Sequence, residues 1–465
     1  MVCVYVDHTT KGGSFMKMRK LMSLALAGVM VLSLAACGGG SSAPASSDSA
    51  DAAAESSNAS AGGSLQVNIW DNNQLAGLQE IADEWSATSG VTVKINVVDW
   101  DNYWTLLEAG ASGGEMPDVF WMHSNTAQMY MENDLLLNLD DYIAADDAID
   151  LNNYYEGIVA LYNSNGHQYA LPKDHDTIAL LYNQAIFDKY GVETPTDDWT
   201  WEDVYNAAAA ISEAGAADGV YGYAINSSNN QDGWYNLVYD YGAQVITDDH
   251  KGTTIGSDAG KAGMEMMRKI LTVAAPQATV AETGTDSLFQ SNLVGMITQG
   301  SWMINSFYKA ESHADYKWAM MPYADVNGNG ACDKGERWSA YNGLGWAISA
   351  SCANPDAAYS LISYFCAEEG QRKQAELGVT MAGYKGVSEE FANAFEGMDV
   401  SPFVRIEEEG DLYFRPYTRN TTVWEDALQQ AGAFLDPWQD PSDPAKMAAA
   451  CDNAQKIIED AIANE

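Results

Sequence analysis

The chain has 465 residues, of which 23 are basic and 65 are acidic, giving a formal net charge of −42. This balance excludes nucleic-acid binding, because phosphate backbones require clustered lysine and arginine. The acidity fits solubility outside the cell, and the length suits two lobes rather than one core.

The N-terminal segment has the pattern of an export signal. Three basic residues, Lys17, Arg19 and Lys20, precede an apolar run over 21–34, and two alanines then lead to Cys37. The run is shorter than the ~20 residues of a membrane-spanning helix, so it predicts a leader and signal peptide over 1–36. Small residues before a single cysteine resemble the lipobox of bacterial lipoproteins. The resemblance implies that Cys37 is acylated and anchors the protein to the cell membrane; the alternative is an ordinary secretory signal.

Two segments flank this signal. Residues 1–15 fit no signal-peptide pattern, so we infer that translation begins at Met16. Residues 37–64 contain few apolar side chains after the cysteine, and such a composition predicts a flexible linker. The inferred mature chain therefore begins with a lipidated, tethered segment.

The cysteines of the mature chain define no metal site. Beyond Cys37 they are Cys332, Cys352, Cys366 and Cys451. Export permits disulfides, but none of the four shows a CxxC or histidine-paired spacing, so a zinc site is not predicted. Their disulfide pairing stays open.

The mature chain opens with a β-α-β-α-β pattern. Apolar residues alternate over 65–69 and 91–97, recur at helical spacing over 75–85, and form a further run at 119–122; residues 101–108 also look helical. This order predicts an α/β lobe with a mostly parallel sheet.

Ligands of such sheets bind beyond the carboxyl ends of the strands. Asp71 and Asn72 follow the first predicted strand, and Trp121, His123 and Asn125 stand at the end of the third. These five residues are therefore candidate ligand contacts. The alternative for Asp71 is that it caps a helix or turn.

Five short motifs follow one another along the chain. They are Pro117-Asp118-Val119, Tyr169-Ala170-Leu171-Pro172, Phe187-Asp188-Lys189-Tyr190-Gly191, Trp199-Thr200-Trp201 and Gly300-Ser301-Trp302. In order and spacing they resemble the extracellular sugar-binding proteins of ATP-driven importers, a family that includes maltose-binding proteins. The resemblance extends over 65–465 and implies an α/β, two-lobed, periplasmic-binding-protein-like fold of type II, hinged, with the ligand in the interlobe cleft.

The same resemblance implies where the chain passes between lobes. The first crossing is expected at 174–177 and the second at 316–323. Lobe one would comprise 65–173 plus 322–352, and lobe two 174–321 plus 353–465. Asp174 and Asp176, at the first crossing, become candidates for binding sugar hydroxyls; for Asp174 a turn-capping role is the alternative.

The aromatic content supports a carbohydrate ligand independently. The chain contains 14 tryptophans and 25 tyrosines, and a sugar ring packs its C–H face on an indole while its hydroxyls need polar partners. We predict two stacking platforms: the resemblance implies that Trp302, after Gly300-Ser301, is a stacking aromatic, and Trp234 stands in a polar loop rather than on a periodic apolar face. Core filling is the alternative for each. Arg415 and Tyr417 are further candidates, with turn structure as the alternative.

A calcium-loop pattern lies outside the motifs of that family. Residues 325–336 satisfy the formula D-x-[DN]-x-[DN]-G-x5-E, which sets oxygen ligands at alternate positions and a glycine at the turn. The flanking segments look like strands, so we predict a structural calcium in a hairpin loop, with an ordinary Asn-Gly turn as the alternative. The expected ligands are Asp325, Asn327, Asn329, Ala331 through its backbone, Asp333 and Glu336.

Catalytic motifs are missing from the sequence, which contains no G-x-S-x-G, H-E-x-x-H or P-loop pattern. We interpret the chain as a monomeric, non-enzymatic lipoprotein that captures a mono- or oligosaccharide outside the cell. It would deliver the sugar to the membrane subunits of an ABC-type importer, would require no cofactor for this function and would contact the membrane only through its lipid. The alternatives are a binding protein for a peptide or polyamine, a carbohydrate-active hydrolase and a surface glycan-binding protein.

Overall fold

The computed structural model of the protein describes residues 63–225, 230–429 and 433–465. The predicted signal peptide, Cys37 and the linker up to residue 62 lie outside these ranges.

Thirteen strands occur in the described residues. They are β1 (Ser64–Ile69), β2 (Thr92–Val97), β3 (Val119–Met122), β4 (Asn163–Ser164), β5 (His167–Gln168), β6 (Ala170–Pro172), β7 (Ile178–Asn183), β8 (Tyr221–Tyr223), β9 (Val294–Gly300), β10 (Tyr316–Ala319), β11 (Trp338–Tyr341), β12 (Gly345–Ile348) and β13 (Asp411–Phe414).

The α-helices of the described residues lie mostly between these strands. They are α1 (Leu75–Ser89), α2 (Trp100–Gly113), α3 (Ser124–Glu132), α4 (Asp140–Ala144), α5 (Glu156–Leu161), α6 (Gln184–Tyr190), α7 (Trp201–Gly215), α8 (Tyr235–Asp240), α9 (Asp258–Leu271), α10 (Gln277–Thr283), α11 (Thr285–Gln290), α12 (Ile304–Tyr308), α13 (Pro355–Cys366), α14 (Glu368–Glu376), α15 (Ser388–Asn393), α16 (Pro402–Glu409), α17 (Thr421–Gln429), α18 (Leu435–Gln439) and α19 (Pro444–Ala463).

The first sheet has the order β2-β1-β3-β12-β6. Its strands β1, β2 and β3 are parallel, as the opening pattern predicted, and β12 enters antiparallel between β3 and β6. The predicted helix α1 ends at Gly90, whose φ of 72° lies in the left-handed region that favours glycine. The alternation of β1 buries Leu65, Val67 and Ile69 completely, so this sheet organises its own core.

The second sheet has the order β10-β7-β9-β8. The strand β9 pairs antiparallel with β7 and parallel with the edge strand β8. All seven residues of β9 are buried, as expected for a central strand covered on both faces. This sheet also has its own cores, which include Trp201, Trp234 and Phe289.

The chain first passes between the sheets where we predicted, because β6 ends at Pro172 in the first sheet and β7 begins at Ile178 in the second. The second passage is not at 316–323, since that segment contains β10, which pairs antiparallel with β7 in the second sheet. Instead the chain returns at residues 342–344, between β11, whose Ala340 is buried in a core of the second sheet, and β12 of the first sheet. The sequence predicted strands on both sides of the loop 325–336 but did not place this passage.

The helix α13 packs on the first sheet, although we expected lobe two to resume at residue 353. Its residues Leu361, Ile362 and Phe365 are completely buried in the core of that sheet, and the Phe365 ring stacks on Trp346 with a centroid distance of 4.9 Å. A third passage follows near residue 380, because Val379 belongs to the first core and Met381 to the second. The lobe boundary that we placed at 353 therefore moves to this third passage.

The described residues also show the state of the cysteines and whether any helix could span a membrane. All four cysteines in the described residues are free thiols; Cys366 and Cys451 are buried, whereas Cys332 is exposed. In the described ranges, none of the helices combines the length and the apolar character needed to cross a bilayer.

Candidate ligand-binding cleft

The three passages between the sheets gather a polar cluster beside the strand ends. Asp176, on the first passage, exchanges backbone hydrogen bonds with Asn342 on the second, with N···O distances of 2.7 and 3.3 Å. The Asn342 amide lies 3.2 Å from His123 Nε2 and accepts from the Ser124 hydroxyl at 3.0 Å. Ser301, which follows β9, donates to Asp176 Oδ1 at 2.9 Å. Side chains from both sheets therefore meet here, and Asp176 and His123 are brought together as predicted candidates.

Asp176 is a buried carboxyl without a cationic hydrogen-bond partner among the described residues. Its side chain is 6% exposed. Burial and the neighbouring charge of Asp174 raise the pKa of Asp176 to about 7, against the lowering effects of Lys173 and Ser301. Near neutral pH the carboxyl can therefore donate or accept a hydrogen bond, which suits a ligand hydroxyl.

Arg415 contributes a free donor from the second lobe. Its Nη2 donates to Glu425 at 2.7 Å, whereas its Nη1 is buried and has no partner among the described residues. Burial and then the charge of Arg415 lower the pKa of His123 to about 3, which places the guanidinium near that imidazole. An unpaired buried donor is costly unless a ligand supplies an acceptor, so Arg415 stays a candidate contact.

Aromatic rings border the same edge of the first sheet. Trp70 directly follows β1 and Trp100 begins α2 after β2; their rings meet edge-to-face at 5.2 Å, and Trp104 lies 5.4 Å from Trp100. Trp100 is 41% exposed, and its ring lies 5.5 Å from His123.

Sequence reasoning missed these three tryptophans, although the rule for strand ends pointed to them. Trp70 stands immediately before Asp71, and Trp100 follows the second predicted strand. At the ends of the first and second strands we selected polar residues or none, and the aromatic residue we selected was Trp121 in the third strand. Indole rings at strand ends offer the apolar faces on which a sugar can pack.

The two predicted stacking platforms have different environments. Trp302 is half-buried, and its ring lies against Gly300, in the space that a Cβ atom would occupy there; this contact explains the glycine of the Gly300-Ser301-Trp302 motif. Trp234 is completely buried in the core of the second lobe, and its Nε1 donates to Asn230 at 2.9 Å. The prediction of Trp234 as a platform is therefore wrong, because its ring faces other core residues.

Two other candidates are also structural. Trp121 is completely buried, and the Lys173 ammonium lies 4.5 Å above its ring. Asp174 is 1% exposed and pairs with Lys173, and it also accepts from the Leu344 backbone at 2.7 Å and from Thr380 at 3.0 Å. The Asp174 carboxylate thus ties the three passages together, and its acceptor capacity is used within the protein.

Four candidates lie at the periphery. Asp71 forms a turn, accepting from Asn73 N at 2.8 Å and from the Gln74 amide, so the capping alternative describes it. Asn72 is exposed. Asn125 lines a small recess with Arg419, whose guanidinium pairs with Glu132 of α3. Tyr417 is half-buried beside His250, at a ring distance of 4.4 Å. As ligand contacts, Asn72, Asn125 and Tyr417 stay predictions.

The predicted calcium loop folds upon itself. Asp325 accepts from Asn329 N and Gly330 N, both at 3.0 Å. The Asn327 amide donates to Asp333 at 2.8 Å and to Glu336 at 3.1 Å. In the described ranges, no three His, Cys, Asp or Glu side chains are grouped to hold a metal, and in this loop the Asn327 amide occupies carboxylate oxygens of Asp333 and Glu336. Calcium binding, including the backbone ligand Ala331, stays a prediction.

Comparison with known proteins agrees with this architecture. Residues 70–372 match the model of a family described as bacterial extracellular solute-binding protein. A putative binding protein of Brucella abortus is 23% identical over 252 residues, which are 52% of this chain and 58% of that protein. The match therefore spans little more than half the length of this relative.

Solved structures match over most of their length. An ABC substrate-binding protein of Listeria monocytogenes, in complex with cycloalternan, has a TM-score of 0.71 and 20% identity, covering 87% of this chain and 98% of that one. The GacH receptor of Streptomyces glaucescens, solved unliganded and with acarbose, has a TM-score of 0.70 and 20% identity, covering 86% and 99%. These likenesses confirm the two-lobed α/β fold of type II, and the matched family model shows that the chain belongs to the bacterial extracellular solute-binding proteins.

Proposed function

We propose that this solute-binding protein captures a carbohydrate in the cleft between its two sheets and delivers it to an ABC-type importer without altering it. The observation that carries the proposal is the juxtaposition of indole rings with two buried polar groups, namely Asp176, whose hydrogen-bond partner is the Ser301 hydroxyl, and Arg415, whose Nη1 has no partner among the described residues. Trp70, Trp100 and Trp302 provide apolar faces, and Asp176 and Arg415 provide acceptors and donors. A sugar ring needs both kinds of contact at once.

The relatives support the same ligand class. The Listeria structure holds cycloalternan and the Streptomyces receptor holds acarbose, and both compounds are carbohydrates. A polyamine is less well matched, because the Arg415 guanidinium would repel it.

A thermal-shift screen over mono- and oligosaccharides, peptides and polyamines tests the ligand class. A ligand present at 100 times its dissociation constant adds about 2.7 kcal/mol to the free energy of unfolding when it binds only the folded state. We expect stabilisation by a sugar, and stabilisation by peptides or polyamines alone would contradict the proposal. Small-angle scattering should then show a more compact protein with the sugar, as closure of two lobes requires. A rigid surface glycan-binding protein would keep its dimensions.

Catalysis is tested by product analysis. Purified protein incubated with the stabilising oligosaccharide should return it unchanged, because a transport receptor binds without cleaving. New products would support a carbohydrate-active hydrolase instead. Sedimentation of the same sample should give the mass of a monomer.

We also propose that the mature protein is held at the cell membrane by lipid on Cys37. The supporting observations are the basic residues, the short apolar run and the small residues before the cysteine. The substitution Cys37→Ser should release the protein into the medium or soluble fraction. A variant that stays with the membrane after a carbonate wash would contradict lipid anchoring.

A further inference from the structure

A groove of about 640 Å³ lies beside the edge strand of the second sheet. Its walls come from the end of α9 with the segment that follows it, from α10 and from α18. Its volume falls within the range of about 300–1,000 Å³ that is typical of small-molecule sites. None of the candidate contacts discussed above lines it.

The groove begins at the same end of the sheet as Trp302. Ala275 N, in the groove wall, donates to Tyr223 O at the end of β8 with a distance of 2.8 Å. The side-chain amide of Gln277, also in the groove wall, donates to Ile225 O, two residues after Tyr223. Because β8 runs parallel to β9, both strands point toward the same edge of the second sheet; β8 ends at Tyr223 opposite Met296, and Trp302 follows the end of β9 at Gly300. The groove therefore lies on the side of the second sheet toward which the candidate cleft also lies.

The lining of the groove is apolar and neutral. Alanine, leucine, proline and tryptophan predominate, with glutamine amides and one threonine. None of the described residues that line the groove is charged, although the chain has a net charge of −42. A charged ligand would find no counter-ion there. Ala278 and Ala281, three residues apart on α10, contribute an open small-residue face to the groove.

One polar atom of the lining lacks a partner. The Trp438 side chain is 4% exposed, and its Nε1 donates to no atom of the described residues. Packing holds the ring in place, because it stacks on Phe434 at 5.3 Å with an interplanar angle of 21°. A buried indole N–H is normally hydrogen-bonded. The groove therefore fits a molecule that combines an apolar face with a hydroxyl oxygen.

We infer that this groove holds the outer sugar units of a neutral oligosaccharide whose inner units lie between Trp302 and the first sheet. The inference rests on the proposed carbohydrate function and narrows it, since the ligand class becomes a neutral chain of several units rather than a monosaccharide. Trp438 Nε1 donates to a hydroxyl or ring oxygen of an outer unit.

Calorimetry with oligosaccharides of increasing length tests this inference. The probes are malto-, chito- and manno-oligosaccharides from the disaccharide to the heptasaccharide, together with their monosaccharides. Three variants are compared with the natural protein. Ala281→Trp fills the groove from an exposed helix position, Thr283→Trp adds the same ring to an exposed position of that helix outside the lining, and Trp438→Phe retains an aromatic ring but removes the N–H.

If one of the three oligosaccharide series binds, its affinity for the protein should rise with the number of sugar units. Ala281→Trp should lower the affinity for the longest member by about tenfold, equivalent to ~1.4 kcal/mol, and leave the disaccharide unaffected. Trp438→Phe should show the same length dependence with a smaller loss, and Thr283→Trp should show none.

Two results would overturn the inference while leaving carbohydrate capture intact. One is an affinity that no longer changes beyond the disaccharide, and the other is an equal effect of Ala281→Trp on short and long sugars. Absence of binding by every series would instead overturn the proposed function, and the inference with it.

Discussion

The edges of the two sheets present their tryptophans in different ways. On the first sheet, Trp100 is 41% exposed and Trp70 is half-buried, each directly beyond a strand end. On the second, the half-buried Trp302 ring lies against Gly300, and Trp234 is completely buried. The polar neighbours of Trp234 misled the prediction, because Asn230 and Asp232 are themselves 3% exposed. Trp70 and Trp100 follow their strands, whereas Trp121 lies within β3 and is completely buried; a tryptophan beyond a strand end is therefore a better candidate than one with polar sequence neighbours.

The largest effect is expected at Trp234. Replacing it by alanine should lower the free energy of unfolding by about 3–5 kcal/mol, because a large core side chain is removed. The affinity of the folded fraction for sugar should stay nearly unchanged. Denaturant midpoints and calorimetry on the same preparation measure both quantities, and a loss of affinity at intact stability would return Trp234 to the cleft.

Trp302→Ala should show the reverse pattern. Truncation of an aromatic anchor in a binding site commonly costs about 2 kcal/mol or more, which corresponds to at least a roughly 30-fold loss of affinity. Its half-buried ring should contribute less to stability than that of Trp234. Intact sugar affinity with a large fall in the denaturant midpoint would make Trp302 a core residue and remove the contrast between the two rings.

Trp100→Ala tests the first-sheet edge. We expect a loss of affinity of about tenfold, or ~1.4 kcal/mol, with a change in stability within about 0.5 kcal/mol, since the ring is largely exposed. Leu106→Ala is the matched control, because Leu106 is exposed on the same helix α2 at 56%. Equal losses for both variants would show a general effect of helix α2 and not a stacking role.

The buried carboxyl of Asp176, between the two sheet edges, should affect how the free energy of unfolding depends on pH. The pKa of Asp176 is raised to about 7, so between the ordinary carboxyl value of about 4 and about 7 the native state holds a proton that the unfolded chain has lost. The free energy of unfolding therefore falls as pH rises through this window. Asp176→Asn should reduce this decline, and parallel pH profiles for the two proteins would contradict the raised pKa.

The smallest effect is expected at the loop 325–336, away from the sugar contacts. We propose that it binds a structural calcium weakly, since two of the expected ligands are asparagines. A chelator should lower the melting temperature of the natural protein, and Asp325→Ala should abolish that sensitivity, while sugar affinity changes little. Identical melting with chelator and with added calcium would leave the loop an ordinary turn.

The local sequence pattern was sufficient to predict the first elements of the fold. The alternation of Leu65, Val67 and Ile69, the helical spacing after it and the stop at Gly90 predicted β1, α1 and β2 because each element is specified by neighbouring residues. The order of motifs similarly predicted the family, the fold class and the first passage at 174–177. Of the site, the strand-end rule located His123 and the passage located Asp176.

Contacts between distant residues decided the rest. The segment after the loop 325–336 was predicted to contain strands, yet β11 pairs with β13 and β12 with β3, and the pattern of a strand does not reveal its sheet. Trp121 and Asp174 looked like ligand contacts until Lys173 was found against both. The sequence by itself determined the elements, the family and the chemistry available for a sugar. Only the tertiary structure decided which tryptophans and carboxylates remain accessible, because burial depends on long-range packing that no local pattern encodes.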